Sequence, residues 1–330
     1  MKRIIIYVFC LFVLFVGTSF AEKTTLNIGS GAEGGVYYRI IEEIGKFCNS
    51  ATLGIEHYMV ESGSPAKKQP EGGSVKNLRN LLNNNINAGI IQADIAHLEK
   101  MNNQDMNRIQ ALVPLHKEYV HIIVPTIVRK IVQEATKGKF GFGAKEAVYG
   151  VVENPLENIG QLSGLKVVAW GGSIKTAEII KLMSNIGYEI IPVEDLEEAK
   201  LKINNNEASA IIAVVGTPAP FVEALPKREF KLLNLNKATQ DSLNSIYGVG
   251  KVSYDNLGTL SGQSAEVFSV DSILFTRVYS TPQMVSALSE LQNSIKKKIF
   301  EIRDASGTHP AWQTIDPSRP VKWDNVFTGK

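Results

Sequence analysis

Two copies of one short unit most constrain how this chain can fold. Each copy has an apolar run, then glycine and serine, then apolar residues at helical spacing: residues 26–48 read LNIGSGAEGGVYYRIIEEIGKFC and residues 165–187 read LKVVAWGGSIKTAEIIKLMSNIG. Aligned without gaps, Gly34 matches Ser173. The order predicts a strand, a tight turn and a helix in each copy. Two similar units predict two similar lobes.

The elements that follow each unit also occur in the same order. A strand and a helix come next, asparagine triplets stand at residues 83–85 and 204–206, and short apolar strands follow at residues 88–91 and 209–215. Asparagine adopts the left-handed conformation readily, so each triplet predicts a helix end. Near-continuous apolar strands joined by helices predict parallel sheets covered on both faces. Residues 129–161 fit neither repeat, and we expect a loop or hairpin on the second lobe.

Two strongly apolar, extended stretches lie outside the repeats, at residues 112–124 and 267–278. We expect them to cross between the lobes, one outward and one back, and to form a two-stranded hinge about which the lobes close. The predicted fold class is therefore α/β, with two α/β lobes joined by a hinge. The predicted boundaries are residues 22–115 plus 266–330 for lobe 1 and residues 116–265 for lobe 2.

Residues 1–21 have the pattern of a secretory signal. A basic start precedes thirteen uninterrupted apolar residues, Ile4 to Val16, and the small residues Ser19 and Ala21 follow. The apolar run is too short to span a bilayer, so we predict a signal cleaved after Ala21 and a periplasmic mature protein. An uncleaved membrane anchor is the alternative.

The predicted mature chain has no net formal charge. Loss of residues 1–21 removes two of the 35 basic residues and none of the 33 acidic ones, which leaves 33 of each. Because phosphate binding needs a basic excess or patch, nucleic acid is not an expected partner. Of the two cysteines only Cys48 remains, so no intramolecular disulfide can form. We expect a soluble monomer.

A nucleotide is one alternative ligand. Gly29, Gly31 and Gly34 spell G-x-G-x-x-G between a predicted strand and a predicted helix, the context that the dinucleotide motif requires. The motif also calls for an acidic residue after the next strand, where Glu61 is a slightly late candidate. The other alternative is structural, with the glycines serving only to pack the helix against the sheet.

Residues that would indicate catalysis or a metal site are scarce. The five histidines form no HExxH motif or Cys/His cluster, and no G-x-S-x-G motif occurs. His116 and His121 are five positions apart on a predicted strand, so they point to opposite faces. We predict no catalytic residues, no metal and no cofactor, and therefore not an enzyme.

The strand ends predict where a ligand binds. In parallel α/β sheets, ligands bind beyond the carboxyl ends of the strands, where helix starts offer amide donors to anions. Those ends carry residues 31–34, Gln92, residues 170–173 and residues 216–218. A further helix starts near Gly73 and Ser74, with Ser74 as its predicted N-cap. If the lobes face each other, these ends share one cleft.

Several stretches together resemble the TRAP-associated extracytoplasmic immunogenic (TAXI) solute-binding proteins. They are the opening motif IGSGAEGGVYYRIIEEI, residues 72–78, residues 89–96, Glu118 with His121, residues 162–164, Gly172-Ser173, residues 216–220 and His309-Pro310. The resemblance covers essentially the whole mature chain. It implies a type II periplasmic-binding-protein fold that closes on a small acidic solute. It also implies TRAP transporter membrane subunits as partners and a ligand such as glutamate, glutamine or a dicarboxylate like 2-oxoglutarate.

This sequence departs from the family pattern at both glycine-rich loops. Ala32, Glu33 and Val36 stand where threonine and glycine are usual, and Ile174 and Lys175 follow the second loop. We hypothesise that helix-start amides and Lys175 hold a carboxylate, and that Glu33 pairs with an ammonium group. The full predicted ligand-binding set is Gly31, Ala32, Glu33, Gly34, Val36, Tyr37, Gly73, Ser74, Gln92, Trp170, Gly171, Gly172, Ser173, Lys175, Thr176, Gly216 and Pro218.

Two other classes of function remain open from the sequence. One is an exported enzyme that uses the glycine-rich loop for a nucleotide or phosphate ligand. The other is a surface antigen with a role in contact with other cells. Tyr37, Tyr38 and Trp170 could wall a ligand, although neighbours on a helix diverge by about 100 degrees, so one tyrosine of the pair is expected in the core.

Overall fold

The computed structural model describes residues 23–61, 63–68, 71–133, 148–217, 219–257 and 264–329. The predicted signal peptide lies outside these residues. The strands are β1 (Thr24–Gly29), β2 (Leu53–Tyr58), β3 (Ala88–Gln92), β4 (Ile109–Pro125), β5 (Ile127–Gln133), β6 (Val148–Glu153), β7 (Lys166–Ala169), β8 (Glu189–Pro192), β9 (Ala210–Val215), β10 (Phe230–Leu232), β11 (Gly248–Val252) and β12 (Ala265–Arg277).

The helices of the described residues connect these strands. They are α1 (Val36–Cys48), α2 (Gly73–Leu82), α3 (Ala93–Asn102), α4 (Gly172–Ser184), α5 (Leu196–Asn204), α6 (Pro220–Glu223), α7 (Lys237–Leu243) and α8 (Pro282–Asp304). Short 3-10 helices lie at Gln104–Arg108, Ile159–Leu162 and Pro310–Thr314. None of the helices in the described part of the chain is both long and apolar enough to cross a membrane.

One sheet runs through both lobes. Its strand order is β2-β1-β3-β12-β4-β9-β7-β8, with β10 also on β4 and β11 also on β12. Strands β1, β2 and β3 are parallel to one another, and so are β7, β8 and β9. The antiparallel pair β4 and β12 joins the two parallel groups, so the prediction of two crossing strands is confirmed.

The repeated unit folds as predicted in outline but not residue for residue. Ile40 and Ile41 of α1 are fully buried, and so are Ile179 and Ile180 of α4. The loop before α1 takes six residues, 30–35, whereas α4 begins after only two residues that follow β7. The gapless match of Gly34 to Ser173 is therefore wrong, because a shorter second loop starts α4 three residues earlier.

The predicted helix ends and hairpin are present, and the C-terminal tail packs against the rest of the chain. Asn84 and Asn206 have φ values of 64° and 56°, as the asparagine triplets predicted. Strands β5 and β6 pair as an antiparallel hairpin, although residues 134–147 between them are outside the described part. Trp312 and Trp323 are buried, and Trp312 donates its indole N–H to the buried carboxylate of Glu43. The tail is thereby fixed to α1.

The two lobes meet around a buried carboxylate at the start of α3. Asp94 Oδ2 accepts hydrogen bonds from Thr176 Oγ1 (2.7 Å) and Tyr247 Oη (2.8 Å), and Oδ1 accepts from the Ile95 amide (2.8 Å). Ile95 and Ile174 belong to the same apolar core. Burial raises the pKa of Asp94, although the hydrogen bonds from Thr176 and Tyr247 act in the opposite direction. This contact holds α3 of one lobe against α4 of the other.

Replacing Thr176 with valine tests this contact between the lobes. We expect a loss of about 1–3 kcal/mol in the free energy of unfolding, because a fully buried carboxylate loses one of its donors while side-chain volume is nearly kept. Urea denaturation of the unliganded protein measures it. The exposed Thr25→Val change is the control and should stay within about 0.5 kcal/mol. Equal effects of the two changes would contradict the assignment.

His121 of β4 is buried and neutral in the hinge. Its Nε2 lies 2.8 Å from Tyr254 Oη and its Nδ1 lies 2.9 Å from the Tyr119 carbonyl oxygen. Burial lowers the pKa of His121 to about 4, which outweighs the backbone contacts at Tyr119 and Ala213 that raise it. Since the unfolded chain binds a proton near pH 6.5 and the folded one does not, stability is lost as the pH falls from 6.5 towards 4.

Exchanging His121 for glutamine should remove this part of the acid sensitivity. The unfolding free energy of the unaltered protein should fall by about 3 kcal/mol more between pH 7 and pH 4 than that of His121→Gln. Urea titrations of both proteins at the two pH values measure the difference, and effects of the other histidines cancel between them. Parallel pH dependence in the two proteins would show that His121 is not the buried neutral group.

Candidate functional site

A cavity of about 440 Å³ lies between the two lobes, at the carboxyl ends of the parallel strands. Both glycine-rich loops contribute to it. The described residues that line it are Gly31, Ala32, Gly35, Val36, Tyr37, Gly63, Gly72, Gly73, Ser74, Gln92, Glu118, Trp170, Gly171, Gly172, Ser173, Glu194, Val214, Val215 and Gly216. Its volume is within the range of small-molecule sites in proteins.

Three helices begin at the wall of this cavity. The N-cap residues of α1, α2 and α4 are Gly35, Gly72 and Gly171, and none of them supplies a capping side chain. The first amide groups of a helix have no acceptor within the helix and carry its positive dipole end. Three such ends around one cavity offer donors to a bound anion.

Two glycines stand where the start of α4 approaches the other lobe. Gly171 has a φ of 53°, a conformation that strains any residue with a Cβ atom. A Cβ atom at Gly172 would stand 2.9 Å from Oε1 of Gln92, which belongs to the other lobe. The second glycine pair therefore lets the start of α4 come close to the end of β3.

Most of the predicted site residues line the cavity. These are Gly31, Ala32, Val36, Tyr37, Gly73, Ser74, Gln92, Trp170, Gly171, Gly172, Ser173 and Gly216. Glu33 and Gly34 are exposed and are not among its lining residues. Pro218 lies outside the described residues. A binding role for the set remains a prediction.

Lys175 and Thr176 do not face the cavity, contrary to the hypothesis for Lys175. Lys175 Nζ lies 2.9 Å from Glu178 and 3.4 Å from Glu71, and Thr176 donates to Asp94. Partial burial lowers the pKa of Lys175, but Glu178 and then Glu71 outweigh it and raise the pKa overall. The reason is the early start of α4, which puts Lys175 a full turn beyond the helix N-cap.

The serine hydroxyls of the site hold strands rather than cap helices. Ser74 Oγ accepts from the Gln92 amide at 3.0 Å and lies 3.3 Å from Tyr37 Oη. Ser173 Oγ accepts from the Val214 amide at 2.9 Å. The prediction of Ser74 as N-cap is wrong, because Gly72 occupies that position and Ser74 lies within the first turn.

A buried polar group on β4 was not among the predicted site residues. Glu118 is 6% exposed, accepts from Gln92 Nε2 at 2.6 Å through Oε2, and has Oε1 3.3 Å from His116 Nε2. His116 Nδ1 lies 3.0 Å from Ser272 Oγ on β12. The sequence signal was available: a carboxylate within an otherwise apolar crossing strand calls for a polar partner.

Two of the three aromatic residues predicted to line the ligand site, Tyr37 and Trp170, do line the cavity. Tyr37 lines the cavity and its ring lies edge-on to His116, with centroids 5.8 Å apart. Burial, followed by the charge of Glu118, raises the pKa of Tyr37 well above its ordinary value. Tyr38 instead lies half-buried on His57, and it is Tyr37 that also packs against the apolar core, so the two side chains diverge but Tyr38 does not join the core. Trp170 lines the cavity and packs edge-on to Phe221.

A loop of lobe 1 reaches lobe 2 at the cavity edge. Gly63 and Glu194 both line the cavity, and the Ala66 amide donates to Glu194 Oε1 beside it. Together with the Lys175 to Glu71 ion pair, this gives the lobes polar contacts across the cleft. Within the described residues, no cluster of three or more His, Cys, Asp and Glu side chains could hold a metal ion.

Comparison with known proteins bears on the family and the fold. Residues 28–160 match the model of the NMT1-like family, a stretch shorter than half of the chain. No curated protein matches the sequence closely enough to count as a relative.

Solved structures with a similar fold share little sequence. XAC2383 from Xanthomonas citri bound to ATP has a TM-score of 0.51 at 9% identity, covering 91% of this chain and 92% of that one. The substrate binding protein of an amino acid ABC transporter has a TM-score of 0.45 at 11% identity, with 84% and 94% covered. The L-cystine solute receptor of Neisseria gonorrhoeae has 0.41 at 10% identity, with 91% and 98% covered.

At such low identity these likenesses describe the fold alone. The predicted fold class is confirmed by the two parallel strand groups and their two crossing strands. Residues 28–160 are similar to the NMT1-like family, and the described chain has a mixed α/β fold of two lobes of the periplasmic-binding-protein type.

Proposed function

We propose that this chain is the extracytoplasmic solute-binding subunit of a TRAP-type secondary transporter. It captures a small carboxylate solute, such as glutamate, glutamine or a dicarboxylate like 2-oxoglutarate, between its lobes. The mature protein begins after Ala21, works as a periplasmic monomer and delivers the solute to the TRAP membrane subunits. The resemblance of the glycine-rich loops, Gln92 and the Gly216 region to TAXI proteins supports this finer assignment.

The proposal rests on the cavity between the lobes, at which three helices begin. A ligand carboxylate there accepts hydrogen bonds from amides that no capping side chain occupies. Each helix end contributes about 0.3–1 kcal/mol when exposed and up to about 2 kcal/mol when partly buried. Several such donors, together with further hydrogen bonds to the solute, are sufficient for a micromolar Kd. This Kd corresponds to a binding free energy of about 8 kcal/mol after the costs of ordering the ligand and the protein.

In the proposed mechanism the protein binds and releases the solute without any chemical reaction. The open protein presents the two loop regions as half-sites, and the solute bridges them. Closure brings Ala66 to Glu194 and Glu71 to Lys175 and excludes water from the cavity. Exclusion of water strengthens each charge-assisted hydrogen bond to the solute, because the surrounding dielectric constant falls. Release requires these polar contacts at the cavity edge to separate.

A thermal-shift screen of the mature protein tests the proposal. Amino acids and small carboxylic acids should include a compound that raises the melting temperature by about 5–10 °C at about 100 times its Kd. Native mass spectrometry of freshly purified protein should then show a co-purified solute of the same class. A shift with ATP and none with small acids would support the nucleotide-using enzyme instead, and no shift with either would favour a contact role.

The position of Lys175 gives a second test. Lys175→Met should change the affinity for the solute found in the screen by less than about threefold, because its ammonium group pairs with Glu178 and Glu71 at a half-exposed site. Isothermal titration calorimetry measures the effect, with Lys200→Met on α5 as the control. A loss of tenfold or more for Lys175→Met alone would mean that Lys175 turns into the cavity and binds the solute.

A further inference from the structure

The side-chain charges of the cavity wall are all of one sign. Glu118 and Glu194 are its carboxylates, and none of the lining residues that the structure describes is lysine or arginine. Lys175, the cation expected there from sequence, is held outside by Glu71 and Glu178. The helix starts can serve one carboxylate of a ligand, but a second carboxylate would meet like charge without a cationic partner.

The two wall carboxylates differ in their surroundings. Glu194 lies at the edge of the cavity, where its Oε1 accepts from the Ala66 amide of the loop. Glu118 is 94% buried on the hinge strand β4, where Gln92 Nε2 donates a hydrogen bond to it and Tyr37 is a second side-chain hydrogen-bond partner. A carboxylate has about four acceptor positions, so these two donors leave room for a third. A buried carboxylate on a cavity wall is a strong partner for a cation.

The neighbours of Glu118 fix its orientation. Gln92 holds Oε2, and the ring of His116 lies beside Oε1 with its Nε2 buried and without a hydrogen bond of good geometry. His116 is in turn held by Ser272 on the other crossing strand. Tyr37 lies over the same histidine and lines the cavity. The carboxylate is therefore set rigidly at the hinge, between strands that belong to both lobes.

We propose that Glu118 binds a positively charged amino group of the solute, so that the cavity selects zwitterions with one α-carboxylate and an ammonium group over dicarboxylates. The inference rests on the proposed function and narrows its ligand class. The carboxylate of the solute lies at the helix starts and its ammonium group at Glu118. Gln92 and His116 are positioning residues for Glu118. Glu33, which is exposed and is not among the residues that line the cavity, has no part in this recognition.

Matched ligand pairs on the unaltered protein give the first test. Glutamate and glutarate differ only in the α-amino group, as do glutamine and glutaramate, and alanine and propionate. In the pairs whose size fits the cavity, calorimetry should show the amino member binding about 10–100 times more tightly. Equal or tighter binding of the des-amino members would overturn the inference while leaving solute binding itself intact.

The exchange Glu118→Gln gives the second test. It keeps shape and an acceptor for Gln92 but removes the charge, so amino members should weaken about 10- to 100-fold while des-amino members bind unchanged or more tightly. A carboxylate with only a structural role would weaken both members of a pair alike, which contradicts the inference. Glu56→Gln, at an exposed position on β2, is the control and should leave both unchanged.

Two further outcomes separate this inference from the proposed function. If Glu118→Gln fails to fold, the ligand pairs on the unaltered protein decide alone, because they need no variant. If none of the six compounds binds at millimolar concentration, and native mass spectrometry finds no amine-bearing solute, the inference is overturned. Small acids without an amino group that raise the melting temperature in that case would still uphold solute binding.

Discussion

The pairing of β4 with β12 is the constraint on which the rest of the structure depends. These two antiparallel strands lie between the parallel groups and join them into one sheet. The carboxyl ends of the strands in both parallel groups lie at the same cavity, so the helices that follow these strands begin there. Neither lobe contains a complete site. The cavity exists because two half-sheets of similar design are held edge to edge by hydrogen bonds along strands of 17 and 13 residues.

The architecture could be predicted because it depends on local and repeated signals. Each of these signals acts over a few residues: apolar runs of four to seven residues, glycine after a strand and asparagine at a helix end. Because they occur twice in the same order, they predict two lobes of the same topology. The loop lengths could not be predicted in the same way. An apolar periodicity locates the buried face of a helix, as Ile40 and Ile179 show, but it does not say at which residue the first turn forms. The early start of α4 at Gly172 brings its first turn close to Gln92 of the other lobe, a contact that local sequence does not report.

The residues of the candidate site also fall into two groups, those that the sequence could predict and those that it could not. Backbone features such as Gly31, Gly73 and Gly171 were predictable, because strand ends and helix starts fix them. Side chains that depend on helix rotation or on the other lobe were not. Thr176 is turned towards Asp94, Lys175 is drawn to Glu71 and Glu178, and Glu118 is joined to the site by Gln92, 26 positions earlier in the chain. These contacts become visible only when the two lobes are placed together.

In the cavity, the backbone and the side chains contribute charge of opposite sign. Helix starts attract an anion with a modest, distributed field, each worth about 0.3–2 kcal/mol, and they require no charged side chain. Two unit charges 4 Å apart interact by about 4 kcal/mol at an effective dielectric constant of 20. For a second charge on the ligand, one buried carboxylate therefore outweighs one helix start and at least equals two. The helix starts can bind an acid, but Glu118 on the hinge strand decides which acids are tolerated beside it.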